Sequence, residues 1–114
     1  MAHANTLQAS TYGYVTVTPP AGITTMTYVL NDSPPQPVTA TPIQMQPADQ
    51  VELYDGATIA GEFTLIYIGN NLGLNILWPY FGQYYALRAS GFGSSIKVWY
   101  VSMSNQNKNV SLVQ

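Results

Sequence analysis

The segment IKVWYVS, residues 96–102, alternates Ile96, Val98 and Tyr100 with Lys97, Trp99 and Val101. A side-chain period of two belongs to a strand that lays one face on a core, because successive Cβ atoms leave an extended backbone on opposite sides. The same pattern recurs along the chain. In YGYVTVT (12–18), Val15 and Val17 oppose Tyr12, Tyr14 and Thr16, and in TTMTYVL (24–30), Met26, Tyr28 and Leu30 share a face. VELYD (51–55), LNILW (74–78) and YYALRA (84–89) read as further strands, being rich in the β-branched and aromatic residues that suit a pleated surface. GEFTLIYIG (61–69) is almost continuously apolar and predicts a central strand buried on both faces.

The residues between these runs are equally informative. Pro19 and Pro20 stop the first, Asp55-Gly56 closes the third, GNNLG (69–73) supplies a hairpin loop, and SGFGSS (90–95) supplies a turn. Residues 31–47 carry Pro34, Pro35, Pro37, Pro42 and Pro47. Proline has no N–H to give to a ladder, so this stretch predicts an extended crossover loop between two sheets, with a short edge strand around 38–45. A clasp lying on a neighbouring subunit is the functional reading of the same stretch. Residues 1–11 show no period and predict a loose N-terminal arm; VSLV (110–113) predicts a last edge strand. Nowhere does a 3.6-residue period hold over a dozen positions. The expectation is one all-β domain over 12–114: an antiparallel β-sandwich of jelly-roll type, or a small barrel.

Charge is scarce. Three basic and five acidic residues make 7% of the 114-residue chain, against about 25% in an average soluble domain. Nucleic acid requires a basic stripe, which Arg88, Lys97 and Lys108 cannot form. An anionic membrane surface is disfavoured for the same reason. No apolar run approaches the roughly 20 residues of a membrane-spanning helix, and no basic stretch followed by an apolar one reads as a signal peptide. Lys and Asp are the residues with which sheet proteins normally keep their edges apart, and charged residues are depleted in the centres of protein interfaces. The composition therefore points to a chain covered by neighbours. A Ser, Thr and Asn coat adapted to the extracellular milieu is the rival reading.

Groups able to do chemistry are few. There is no cysteine, and the one histidine, His3, falls in the unpatterned arm. Triads built on a His base have no anchored base here. Asp49, Glu52, Asp55 and Glu62 fall within fourteen residues, a density that suggests either a calcium site or catalytic carboxylates. Their spacing matches no EF-hand loop. Along the strand, Glu52 points away from the face shared by Val51, Leu53 and Asp55, so Asp55 is expected to open a turn and Glu52 to be solvated. No metal or cofactor is expected, and no catalytic residue is assigned.

The aromatic residues remain. NILWPYFGQYYALRASGFG (75–93) holds six of them and only Arg88 as a charge. Trp78, Phe81, Tyr85 and Leu87 are expected to fill the core and its rim. Tyr80, Tyr84 and Phe92 are candidates for contact with another chain, joined by Trp99, which lies opposite the better core face of its strand. Tyr and Trp carry an apolar body with a polar tip, which suits contacts and sugar platforms alike. Stacking of Trp99 and nearby Tyr residues on a glycan, as in a carbohydrate-binding module or lectin-like domain, is the alternative function. A glycosidase using Glu52 and Glu62 lacks supporting polar residues.

The half of the chain from VELYDGATIAGEFTLIYIG to WPYFGQYYALRASGFGSSIKVWYVS (51–102) resembles small β-rich head-decoration and tail-module proteins of tailed bacteriophages. The shared outline is V-x-L-Y-D-G, a middle strand, then A-L-R-A-S-G before I-K-V-W-Y-V. The resemblance implies a non-enzymatic virion component, assembled in the host cytoplasm. It implies self-association, often as trimers, and attachment to major capsid or tail proteins.

Overall fold

Each alternating segment becomes a strand that buries the positions its pattern singles out. The structure, a computed structural model, describes residues 11–103. The arm except for Thr11, and the strand expected at 110–113, lie outside the described residues. In β1 (Gly13–Val17) Val15 and Val17 are buried between half-buried neighbours. In β2 (Met26–Leu30) Met26 is buried, and Tyr28 and Leu30 pack against the core. β3 (Gln36–Pro37) and β4 (Ile43–Met45) come from the proline-rich stretch. β5 (Gln50–Asp55), β6 (Thr58–Ile68) and β7 (Asn71–Trp78) form two successive hairpins. β8 (Tyr80–Phe81), β9 (Tyr85–Ser90) and β10 (Ile96–Ser102) complete the domain.

The strands form two five-stranded sheets, ordered β4-β1-β10-β9-β8 and β3-β2-β5-β6-β7. One core joins them. Val15, Val17, Ile43, Met45, Leu87, Ile96 and Val98 come from the first sheet, and Met26, Val51, Leu53, Ala60, Phe63, Leu65 and Leu72 from the second. The domain is thus all-β with two sheets on a common core. The proline-rich stretch puts β3 at the edge of one sheet and β4 at the edge of the other, so it carries the chain between them. Two strand fragments replace the single edge strand expected there.

Three further expectations are corrected. The sheets are not purely antiparallel: β1 runs parallel to β10, with Val15 beside Ile96 and Val17 beside Val98. β6 is not buried on both faces. Ala60, Phe63 and Leu65 point inward, whereas Glu62, Thr64 and Ile66 are half-buried and Tyr67 and Ile68 exposed. Trp78 is not a core residue but 43% exposed. Its displacement has a local cause. Leu72, Leu74 and Ile76 face the core, and simple alternation would place Trp78 with them. The register slips between Glu62 and Phe63, however: Phe63 pairs with Ile76 and Glu62 with Trp78. Leu77 is the extra residue, and such a bulge reverses the inward–outward parity of the residues after it.

A second bulge lies between Leu53 and Tyr54, where Leu53 pairs with Gly61 and Tyr54 with Ile59. Ala60 is left without a ladder partner although it is wholly buried. Tyr100, from the opposite sheet, fills the gap: its hydroxyl donates to the Ala60 carbonyl at 2.6 Å. Burial pushes the Tyr100 phenol well above its ordinary value, because desolvation disfavours the charged phenolate.

Candidate protein-contact surface

Every exposed large apolar side chain among the described residues falls between Tyr67 and Phe92: Tyr67, Ile68, Leu77, Trp78, Tyr80, Tyr84 and Phe92. The segment from Phe63 to Leu87 contains no ionisable Asp, Glu, Lys, Arg or His. Two clusters form, one at each end of β7.

At the start of β7, the Gly69-Asn70 turn joins β6 to β7, with Gly69 at φ 64 and Ile68 paired to Asn71. Positive φ at the first turn position is the type II′ pattern that matches strand twist. Ile68 and Phe92 then meet over Gly73. A Cβ on Gly73 would lie 2.7 Å from the Ile68 Cδ1 and 3.2 Å from the Phe92 ring. Phe92 is presented by a turn with Gly91 at φ 92 and Gly93 at φ 63. Gly93 ties this turn to both sheets: its N–H donates to Leu72 O at 2.8 Å and its carbonyl accepts from Tyr14 N at 3.0 Å.

At the other end the β7 bulge turns Leu77 and Trp78 outward, and Pro79 carries the chain into β8. The Trp78 and Tyr80 rings meet edge to face, 5.9 Å apart at 83°. Tyr84, 60% exposed, sits in the loop after Gly82, which takes φ 61. Beneath it Phe81, Tyr85 and Tyr100 form an aromatic trio that closes the end of the core, with centroids 5.7 to 6.3 Å apart. Phe81 and Leu87 therefore occupy the core side, as expected for them, and Tyr85 is half-buried.

Of the four residues singled out for contact, Tyr80, Tyr84 and Phe92 are exposed. Trp99 is half-buried on the outer face of β10, where it pairs with Arg88. Tyr80 and Tyr84 lie at one end of the surface and Phe92 at the other. Sequence reasoning missed Tyr67, Ile68, Leu77 and Trp78. An apolar run there reads as burial on both faces, but the missing charges around it are equally the mark of a covered exterior.

The carboxylates are spread. Asp49 is a structural staple: its side chain accepts from Gln46 N at 2.9 Å and from the Asn31 amide at 3.3 Å. Its carbonyl accepts from Leu65 N and from the Thr64 hydroxyl. Asp55 ends β5 and accepts from the Thr25 hydroxyl. Glu52 and Glu62 stand directly opposite each other on β5 and β6. Tyr54 neighbours them, and its phenol is raised first by partial burial, then by the Glu52 charge and hydrogen bond, then by Glu62. Among the described residues no group of three or more His, Cys, Asp or Glu is placed to hold a metal ion. A shallow groove of about 340 Å³ is lined by Thr16, Val17, Thr18, Pro19, Val38, Thr39 and Ala40, none of them ionisable.

No family model matches the chain, and neither a curated protein nor a solved structure shows significant similarity to it.

Proposed function

We propose that this protein is a non-enzymatic structural subunit that works by self-association, built as a β-sandwich of jelly-roll type. In this reading it is a component of a virus particle, of the capsid-decoration or tail kind. The observation that carries the proposal is the concentration of all large exposed apolar side chains among the described residues in one charge-poor part of the chain. At about 100 Å² exposed for each half-covered large side chain, the seven together present on the order of 700 Å². A standard interface takes about 800 Å² per partner. The two clusters taken together approach that area. Because none of their seven side chains is ionised, covering them incurs little desolvation cost.

The glycan-binding alternative places the stacking at Trp99, which is half-buried and pairs with Arg88 across the ladder. Trp78 and Tyr80 are exposed but stand edge to face, which is not the flat platform a sugar stacks on. Light scattering of the purified chain tests self-association; a glycan array with the chain and its Trp78→Ala variant tests the alternative. The virion assignment predicts that genes flanking its own encode capsid or tail proteins. Neighbours of unrelated metabolic function would count against it.

A further inference from the structure

The few charged residues that stand on strands are sorted by sheet. Among the described residues, the strands of the second sheet carry Glu52, Asp55 and Glu62 and no Lys or Arg. Those of the first carry Arg88 and Lys97 and no Asp or Glu. β5, β6, β9 and β10 are all interior strands, so these charges do not serve to guard an edge from pairing.

Alternation puts four of them outside. Glu52 lies between Val51 and Leu53, and Lys97 between Ile96 and Val98, all four neighbours being core residues. Glu62 precedes the buried Phe63, and Arg88 follows the buried Leu87. Each of these charged side chains therefore leaves from the outer face of its sheet. On the second sheet Glu52 stands directly opposite Glu62, and Glu62 directly opposite Trp78. On the first, Arg88 stands opposite Trp99, and Lys97 lies two residues before Trp99 on the same face. Each outer face thus holds two like charges beside a tryptophan, with the sign reversed between the faces. Like charges directly across a ladder destabilise a sheet, and the strands of the second sheet hold no cation to offset the Glu52–Glu62 pair. Arg88 gives one N–H to the Leu87 carbonyl at 3.2 Å, and among the described residues neither it nor Lys97 joins an ion pair.

Resting on the reading of the protein as a self-associating subunit, we infer that copies join head to tail, the Glu52–Glu62 face of one against the Arg88–Lys97 face of the next. Arg88 suits the paired carboxylates because a planar guanidinium bonds two oxygens at once, and it stacks on an aromatic ring such as that of Trp78. Trp78 also belongs to the exposed apolar cluster at the end of β7, so the contact covers part of that surface. Trp99, half-buried on the basic face, enters it from the other side. The contact joins two different patches and is heterologous. It closes into a ring or runs on as a filament, according to its rotation. The trimer that the phage resemblance implies is one such ring.

Light scattering of the full chain tests this. Wild-type self-association should weaken as NaCl is raised from about 0.05 to 0.5 M, because salt shortens the reach of exposed charges. Glu52→Lys with Glu62→Lys replaces two acids by two bases, which takes the formal net charge from −2 to +2. The magnitude is the same, so general repulsion between copies is unchanged. This double variant should associate about tenfold or more weakly, with an unchanged circular dichroism spectrum, and so should Arg88→Glu with Lys97→Glu. A chain carrying all four changes has complementary faces again and the original net charge, and its self-association should return. If wild type is oligomeric but does not weaken with salt, or the double variants associate normally, or the fourfold variant associates no better than they do, the contact is wrong and self-association runs through another surface. If wild type is monomeric at every salt concentration, the functional reading itself fails, and this contact with it.

Discussion

Replacing Tyr100 by Phe removes one oxygen atom from the core and tests how the two sheets are joined. The ring itself stays: its contacts with Phe81 at 5.7 Å and Tyr85 at 6.3 Å do not involve the hydroxyl. The change removes the 2.6 Å bond to the Ala60 carbonyl. Ala60 is the unpaired residue of the β5–β6 bulge and is completely buried, so no ladder neighbour replaces the donor. A buried acceptor left unsatisfied costs about 1–3 kcal/mol. For a domain of this size about 2 kcal/mol lowers Tm by roughly 6–10 °C. Thermal denaturation followed by circular dichroism measures it. The effect also has a pH signature. Tyr100 is an acid whose folded pKa is raised above its ordinary value of 10.0, so the fold binds its proton more tightly than the unfolded chain does. That stabilisation is complete below about pH 10 and is lost as pH rises further, by up to about 1.4 kcal/mol per pH unit. The wild-type advantage over Tyr100→Phe should therefore shrink above pH 10. A drop in Tm below about 2 °C, or a difference between the two proteins that does not change between pH 8 and 11, would refute the assignment of Tyr100 as the bulge's missing donor.

Two backbone positions give further tests. Gly61 takes φ 154 in the same bulge, and a Cβ there would lie 2.7 Å from the Leu87 Cδ2. Strain and overpacking together should make Gly61→Ala about 2–4 kcal/mol less stable, readable as a lowered urea midpoint with unchanged slope. Ala48 holds φ 76 while its N–H donates to Leu65 O. Ala48→Gly relieves that strain and should raise stability by about 0.5–1 kcal/mol, seen as a small increase in the same midpoint.

How much of this could be read from the residues depends on range. β2 and β10 are local: alternation in TTMTYVL and IKVWYVS already separates Met26, Ile96 and Val98 from their outward neighbours. The turns at Gly56 and Gly69 are local too, since each requires positive φ. Trp78 is not. Its exposure follows from a register slip opposite Glu62, set by how two strands pair. Nor does anything near Val15 announce that its neighbour is Ile96, eighty-one positions away and parallel. The facing of Glu52 and Glu62 is of the same kind. β6 differs for another reason. Ile66, Tyr67 and Ile68 are apolar without being in the core, and apolarity alone does not say whether a side chain is covered by its own chain or by another. Tyr80, Tyr84 and Phe92 are exposed; Pro79, Gly82, and Gly91 with Gly93, stand close to them in the chain and interrupt the regular inward alternation there.

The account turns on the apolar surface between Tyr67 and Phe92 being covered by further copies of the chain. Sedimentation equilibrium of the purified full-length protein from about 1 to 100 µM, which spans dissociation free energies of about 5.5–8 kcal/mol, examines this most directly. The account predicts an average mass above the monomer's 12.4 kDa that rises with concentration. A mass that stays at 12.4 kDa across the whole range would contradict it.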